Sequence, residues 1–317
     1  MFSSYDLSAF SKRLKEIRKS LGFTQEDVVQ GTGLSSETLR KIENGFTIPR
    51  YDTIELLSLF YKIDLHSVMN QYKGSRDLLH FYEMVDFHIV GFDVDSIYET
   101  IQSFQEYMKT ADPQLINKKE LEQLNLFFKG LSVSYEDNLN PEKQIAAIEL
   151  YEKALRTCNP NFTLDAWWKY KYSYIELRIL YSIASLSGFL RNTEISNNIL
   201  EYLLDTLDMS NASKYYDKLL IIKVLATLVY NHHRSSNYEL VLKLSQLGID
   251  YCNQNAIMAY LALLLFRKGV AMYYLEMEGH EQYLDDSITL LRIQGLNESV
   301  EDYTKNAIRY RKPLNAE

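Results

Sequence analysis

The chain is poor in everything that interrupts a helix. Its 317 residues include 5 prolines and 12 glycines, and no stretch alternates apolar and polar residues with the period of two that marks a half-buried strand. So few breakers in so long a chain predict an all-α protein. Cysteine is scarce too. Cys158 and Cys252 lie far apart with no CxxC spacing, which argues against a disulfide framework or a thiolate zinc knuckle and fits reduced, buried thiols. No secretory leader is legible and no run approaches the roughly eighteen uninterrupted apolar residues of a membrane span; even Leu219–Val229 is broken by Lys223. A cytoplasmic protein with no membrane partner is expected.

Catalytic chemistry is equally thin. The six histidines (His66, His80, His88, His232, His233 and His280) show no metal-ligand spacing, and the adjacent pair His232-His233 points to different faces of one helix. There is no glycine-rich phosphate loop and no Gly-x-Ser-x-Gly. Asp285-Asp286 reads as a solvated face near a helix start. No enzyme, metal site or cofactor is expected.

What the chain does have is concentrated in residues 24–45. Thr24 is a good N-cap for a short helix, Gly33 supplies a turn, Ser35 caps a second helix, and Asn44-Gly45 closes it. Val28, Leu34, Leu39 and Ile42 can then pack inward while Gln25, Ser36, Glu37, Arg40 and Lys41 face out. Two short helices across a tight turn are the unit that sequence-specific regulators place in the DNA major groove. Upstream, Phe10, Leu14, Ile17 and Leu21 form an apolar stripe at helical spacing, with Lys12, Arg13, Lys15, Arg18 and Lys19 on the sides read as exposed. A fourth helix follows Pro49 (Ile54, Leu57, Leu59, Phe60), and Leu65–Met69 makes a fifth.

Over about residues 8–70 this pattern resembles the lambda-repressor-like, XRE-type helix-turn-helix family. The resemblance implies that Gln25 contacts the phosphate backbone. It also implies that Ser36, Glu37 and Lys41 touch base edges, with Ser35 at the helix start and Arg40 placed for either phosphate or base. A glutamate suits a cytosine amine and a lysine a guanine edge. Residues 12–50 hold eight Lys/Arg against five Asp/Glu. So small an excess predicts weak DNA binding by one copy, hence a homodimer reading two half-sites of a palindrome.

The expected division is a DNA-binding domain at 1–70, a linker at 71–75 and a helical repeat domain at 76–317. Residues 1–70 carry nine Lys/Arg and nine Asp/Glu, so the remaining 25 basic and 33 acidic residues put the net charge of −8 entirely in the second part. That part would repel DNA, and should do something else. Helices are predicted at about 76–89, 94–110, 117–134, 141–157, 164–187, 192–207, 213–232, 237–253, 257–276, 281–293 and 297–310. Their starts recur every 44 to 51 residues or so, as in a solenoid of helical hairpins. Residues 141–160, with Ala147, Tyr151, Ala154 and Leu155 at packing positions and Pro160 at the end, resemble the second helix of a tetratricopeptide repeat, although the 34-residue period is not kept. An XRE-type domain followed by such an array resembles the peptide-pheromone-responsive transcription regulators of Gram-positive bacteria, the PlcR/PrgX/Rgg group.

Within 164–187, Trp168, Tyr172, Ile175, Ile179, Ile183 and Leu186 read as one apolar stripe, and Lys171, Tyr174, Arg178 and Ser182 share the other face. The next first helices carry Lys223, Thr227, Tyr230 and Asn231, then Arg267 and Tyr274, in the same phase. In a solenoid these helices line the concave side. Arg178, Lys223 and Arg267 would then form a ladder of cations among tyrosines, suited to the backbone and a carboxylate of a short signalling peptide. Two alternatives stand beside this reading: a repeat domain that docks a protein partner, and one that only dimerises.

Overall fold

A computed structural model of the chain describes residues 5–72, 76–91, 93–111, 118–210, 212 and 215–311. Its first five helices are α1 (Leu7–Ser20), α2 (Gln25–Thr32), α3 (Ser36–Glu43), α4 (Tyr51–Tyr61) and α5 (Leu65–Asn70). Four of the five starts are capped by a side chain, the exception being α4 after Arg50. The Asp6, Ser35 and Asp64 side chains accept the backbone N–H of Ala9, Thr38 and Ser67. Thr24 and Asp27 close a reciprocal capping box on α2. Gly33 ends α2 at φ +73°, a left-handed conformation that disfavours any residue with a Cβ. The apolar stripes meet in one core of Phe10, Leu14, Ile17, Val28, Leu39, Ile42, Ile54, Leu57 and Leu65, none more than 4 % exposed. Two expectations fail here. Leu21 is 40 % exposed because α1 has already ended at Ser20, and Arg18 is buried.

The remaining helices are α6 (Arg76–Val90), α7 (Val94–Thr110), α8 (Lys118–Glu136), α9 (Pro141–Cys158), α10 (Tyr174–Phe189), α11 (Thr193–Leu207), α12 (Tyr215–Arg234), α13 (Tyr238–Asn255), α14 (Leu261–Tyr274), α15 (His280–Ile293) and α16 (Asn297–Ala307). Short 3-10 turns occupy Leu164–Lys169 and Ile308–Arg311. The helix starts expected at 117 and 213 and linker residues 73–75 lie outside the described residues. The chain forms two compact units, one of residues 1–128 with 156–160 and one of 129–155 with 161–317.

In the second unit successive helices from α10 to α16 pack as neighbours, and the first helices of successive pairs, α10 with α12 and α12 with α14, also approach each other directly. One turn recurs through this array. After α10 the N–H of Arg191 bonds to Gly188 O and that of Asn192 to Ser187 O, and the same pair of bonds closes the turns at Ser236-Asn237, Glu276-Met277 and Gly295-Leu296. This is the Schellman arrangement, with its second-last residue left-handed in every case. Glycines let helices cross closely. A Cβ on Gly130 would sit 2.3 Å from the Tyr151 ring, and one on Gly188 would sit 2.7 Å from Asn231 Oδ1. Ala147, Tyr151, Ala154 and Leu155 are all buried, as the repeat-like pattern requires.

The single helix expected over 164–187 is instead a 3-10 turn, an extended connector and then α10. Ser173 and Glu176 form a capping box that starts a new helix at Tyr174, and Ala166 is non-helical. The apolar stripe therefore breaks: Trp168 is 57 % exposed, and Lys171 lies on the connector and not on a helix face.

Candidate functional site

Helix α3, the second of the helix-turn-helix pair, buries Leu39, Ile42 and Glu43 and leaves Ser36, Glu37, Arg40 and Lys41 exposed, with its N-cap Ser35 exposed as well. Arg18 of α1 and Glu43 fix its orientation. Arg18 Nε and Nη2 donate to the two Glu43 carboxylate oxygens at 2.6 and 3.0 Å, and Nη1 donates to Phe23 O at 2.9 Å. Glu43 is fully buried, and its Oε2 also accepts the Gln25 amide at 2.7 Å. One carboxylate thus ties α1, α2 and α3 together and sets Gln25, itself exposed, beside α3. The bond to Glu43 raises the Arg18 pKa, and burial with the neighbouring Glu43 charge pushes the Tyr61 phenol up to about 12. On the outer face Lys41 Nζ lies 2.8 Å from Glu37 Oε1, and this pairing lowers the Glu37 pKa. Both side chains stay solvated, so the pair can open at little cost.

The first-helix layer of the second unit is more enclosed than its residue pattern suggests. Arg178 is 3 % exposed; its Nη1 donates to Ser182 Oγ at 2.6 Å and its guanidinium lies 5.1 Å from the centre of the Tyr181 ring. Lys223 is wholly buried. Asn231, 2 % exposed, donates to Ser196 Oγ and Asn197 Oδ1 of α11, both at 2.8 Å. The three mid-helix cations do not form one open ladder, because Arg178 is 3 % exposed and Lys223 is enclosed where α12 meets α10, α11, α13 and α14. Thr227, Tyr230 and Arg267 are the reachable members, with the Arg267 guanidinium 5.4 Å from the Tyr230 ring centre. The Tyr181 hydroxyl meets Thr227 Oγ1 at 3.1 Å. Tyr174 is half-buried at the start of α10, and Tyr274 stacks on Tyr238 at 4.2 Å.

Beside Tyr230 lies a pocket of about 450 Å3 lined by Pro141, Phe189, Leu190, Arg191, Tyr230 and Arg234. The sequence reading missed Arg191 and Arg234. Arg234 had a signal, since it follows Tyr230 by one helical turn and its guanidinium lies 5.7 Å from that ring; Arg191 had none, because a turn brings it there. Among the described residues no cluster of three or more His, Cys, Asp or Glu side chains could hold a metal, and no helix is long and apolar enough to cross a membrane.

Residues 11–74 match the model of a helix-turn-helix domain family. Over 68 residues the chain is 26 % identical to the cryptic phage CTXphi transcriptional repressor RstR of Vibrio cholerae, an alignment covering 22 % of this chain and 61 % of that repressor. Among solved structures, Bacillus thuringiensis PlcR in complex with the peptide PapR7 and DNA is similar with a TM-score of 0.73 at 18 % identity, covering 93 % of this chain and 99 % of that one. ComR from S. thermophilus in complex with DNA and its signalling peptide ComS is similar with a TM-score of 0.54 at 14 % identity, covering 96 % of this chain and all of that one. The chain therefore carries a helix-turn-helix domain at residues 11–74 and, across nearly its whole length, has the fold of PlcR and ComR.

Proposed function

We propose that the chain is a cytoplasmic, homodimeric transcription regulator. Its helix-turn-helix reads a palindromic operator, and its repeat region is switched by a short signalling peptide. The observation that carries the DNA half is α3, held from behind by the buried Arg18–Glu43 pair with Ser36, Glu37, Arg40 and Lys41 facing solvent. In this reading Gln25 and Ser35 position the helix on the backbone and Arg40 and Lys41 supply the charge that releases counterions. The peptide half is supported by the polar, aromatic first-helix face of α10, α12 and α14. Thr227, Tyr230 and Arg267 contact the peptide there, Tyr174, Tyr274 and Lys171 flank it, and Arg178, Lys223 and Asn231 act from within. PlcR and ComR, whose fold this chain has, are each described in complex with DNA and a peptide. Peptide binding shifts the angle between two recognition helices, which must meet grooves about 34 Å or a multiple apart.

Selection from a random duplex pool by the full-length protein tests this function. Enrichment of two inverted half-sites separated by whole helical turns is the expected result, with a change in affinity when a random heptapeptide pool is added. A chain that enriches no sequence is not a sequence-reading regulator. One that enriches a site but ignores every peptide leaves the repeat region to a protein partner or to dimerisation alone.

A further inference from the structure

Among the described residues, three arginines with no ion-pair partner stand around one tyrosine. Arg234 and Arg267 both approach the Tyr230 ring, and Arg191 and Arg234 share the pocket wall with it. Tyr230 is 38 % exposed. Among the described residues none of the three arginines forms an ion pair; the polar bond held by this group is from Arg234 Nη1 to Gly188 O at 2.8 Å. That is unexpected in a region with 33 acidic residues against 25 basic ones, where a partner for each cation is easily supplied. A helix end adds to the positive potential. The pocket is bounded by Pro141, the first residue of the 18-residue helix α9, whose N-terminal end carries partial positive charge. His233, beside Arg267, is held neutral, its pKa pushed down to about 4 by burial and by that arginine.

Like charges gathered with no counter-charge repel one another, and an anion seated between them relieves the repulsion. Guanidinium groups suit a planar two-oxygen acceptor, which they grip through paired N–H donors. The apolar parts of Phe189, Leu190 and Tyr230 give the same pocket a wall for an aliphatic or aromatic side chain next to that acceptor. We propose that Arg191, Arg234 and Arg267 around Tyr230 form a subsite for a carboxylate of the bound peptide. The proposal rests on the peptide reading above and sharpens it, placing the charged end of the peptide beside the turn between α10 and α11 and leaving Arg178 and Lys223 as interior supports. A peptide has such a group at its C-terminus or on an Asp or Glu side chain.

The test uses the full-length protein, its Arg191→Gly variant and its Arg191→Gly/Arg267→Gln variant. Arg191 is left-handed at φ +66°, so glycine there removes the charge while relieving strain, and loss of binding is not loss of folding. Capture is measured from three N-acetylated random heptapeptide pools: free acid, C-terminal amide, and amide without Asp or Glu. Citrate, read by calorimetry against a neutral triamide at equal ionic strength, serves as a carboxylate probe independent of any peptide. The proposal expects capture from pools bearing a carboxylate and not from the third pool, with a loss of about ten-fold or more in the double variant. Capture from the first pool alone assigns the C-terminus; capture also from the second assigns an acidic side chain. Equal capture from all three pools, or variants that bind as the parent does, overturns the subsite while the peptide reading stands. Citrate binding that the variants lose, with no peptide captured, keeps the subsite and overturns the peptide reading. Binding of neither overturns both.

Discussion

Helix α3 and the array helix α12 both carry cations, yet their phase means different things. Helix α3 has one side against the core and one side open, so residues a turn apart share a fate: Leu39 and Ile42 are buried, Ser36, Glu37 and Arg40 exposed. Helix α12 is enclosed by four neighbours, and every residue from Leu219 to Ala226 is buried, Lys223 included. Over that buried stretch there is no polar face to detect. In α3 a charged residue in the right phase marks a surface, whereas in α12 it marks a cation that the fold has enclosed and must satisfy.

The contrast is broken most severely at Glu43 and Lys223. Glu43→Ala leaves Arg18 uncompensated in the core and releases Gln25, so a loss of about 3–5 kcal/mol is expected in urea unfolding of the N-terminal helices. DNA binding should be lost with it. Retained stability would mean that the pair does not hold α3. Lys223→Glu reverses a wholly buried charge, and its cost should be on the order of 3–5 kcal/mol as well. A folded protein of parental stability with altered peptide affinity would put Lys223 on an open face after all.

A gentler perturbation uses acid. His233 has its folded pKa lowered from 6.5 to about 4. Between those values the unfolded chain binds the proton and the folded chain does not, so stability falls as the pH drops from 6.5 towards 4 and this contribution then levels off. His233→Gln should flatten that part of the stability–pH curve. An unchanged slope would show that His233 is not held neutral.

Legibility followed the same divide. The caps Thr24 and Ser35, the turn glycine Gly33 and the outward set on α3 were readable because each depends on neighbours within a few residues. The hairpin helices were readable for the same reason, apart from the break that the Ser173–Glu176 capping box introduces inside an apolar run. What escaped is long-range. Arg18 looks like one more surface cation until Glu43, 25 residues on, is folded against it. Arg191, Arg234 and Arg267 become one group only when three helical pairs are stacked.

The role of α3 is tested most directly by equilibrium binding of the selected duplex to the parent protein and to Arg40→Ala and Lys41→Ala, alongside urea unfolding of the same samples. Both side chains are exposed, so unfolding midpoints should not move. Affinity should fall by about 1–3 kcal/mol for each contact removed, doubled in a dimer that loses it at both half-sites. Parental affinity in both variants would take α3 out of the groove and contradict the assignment of this chain as a DNA reader.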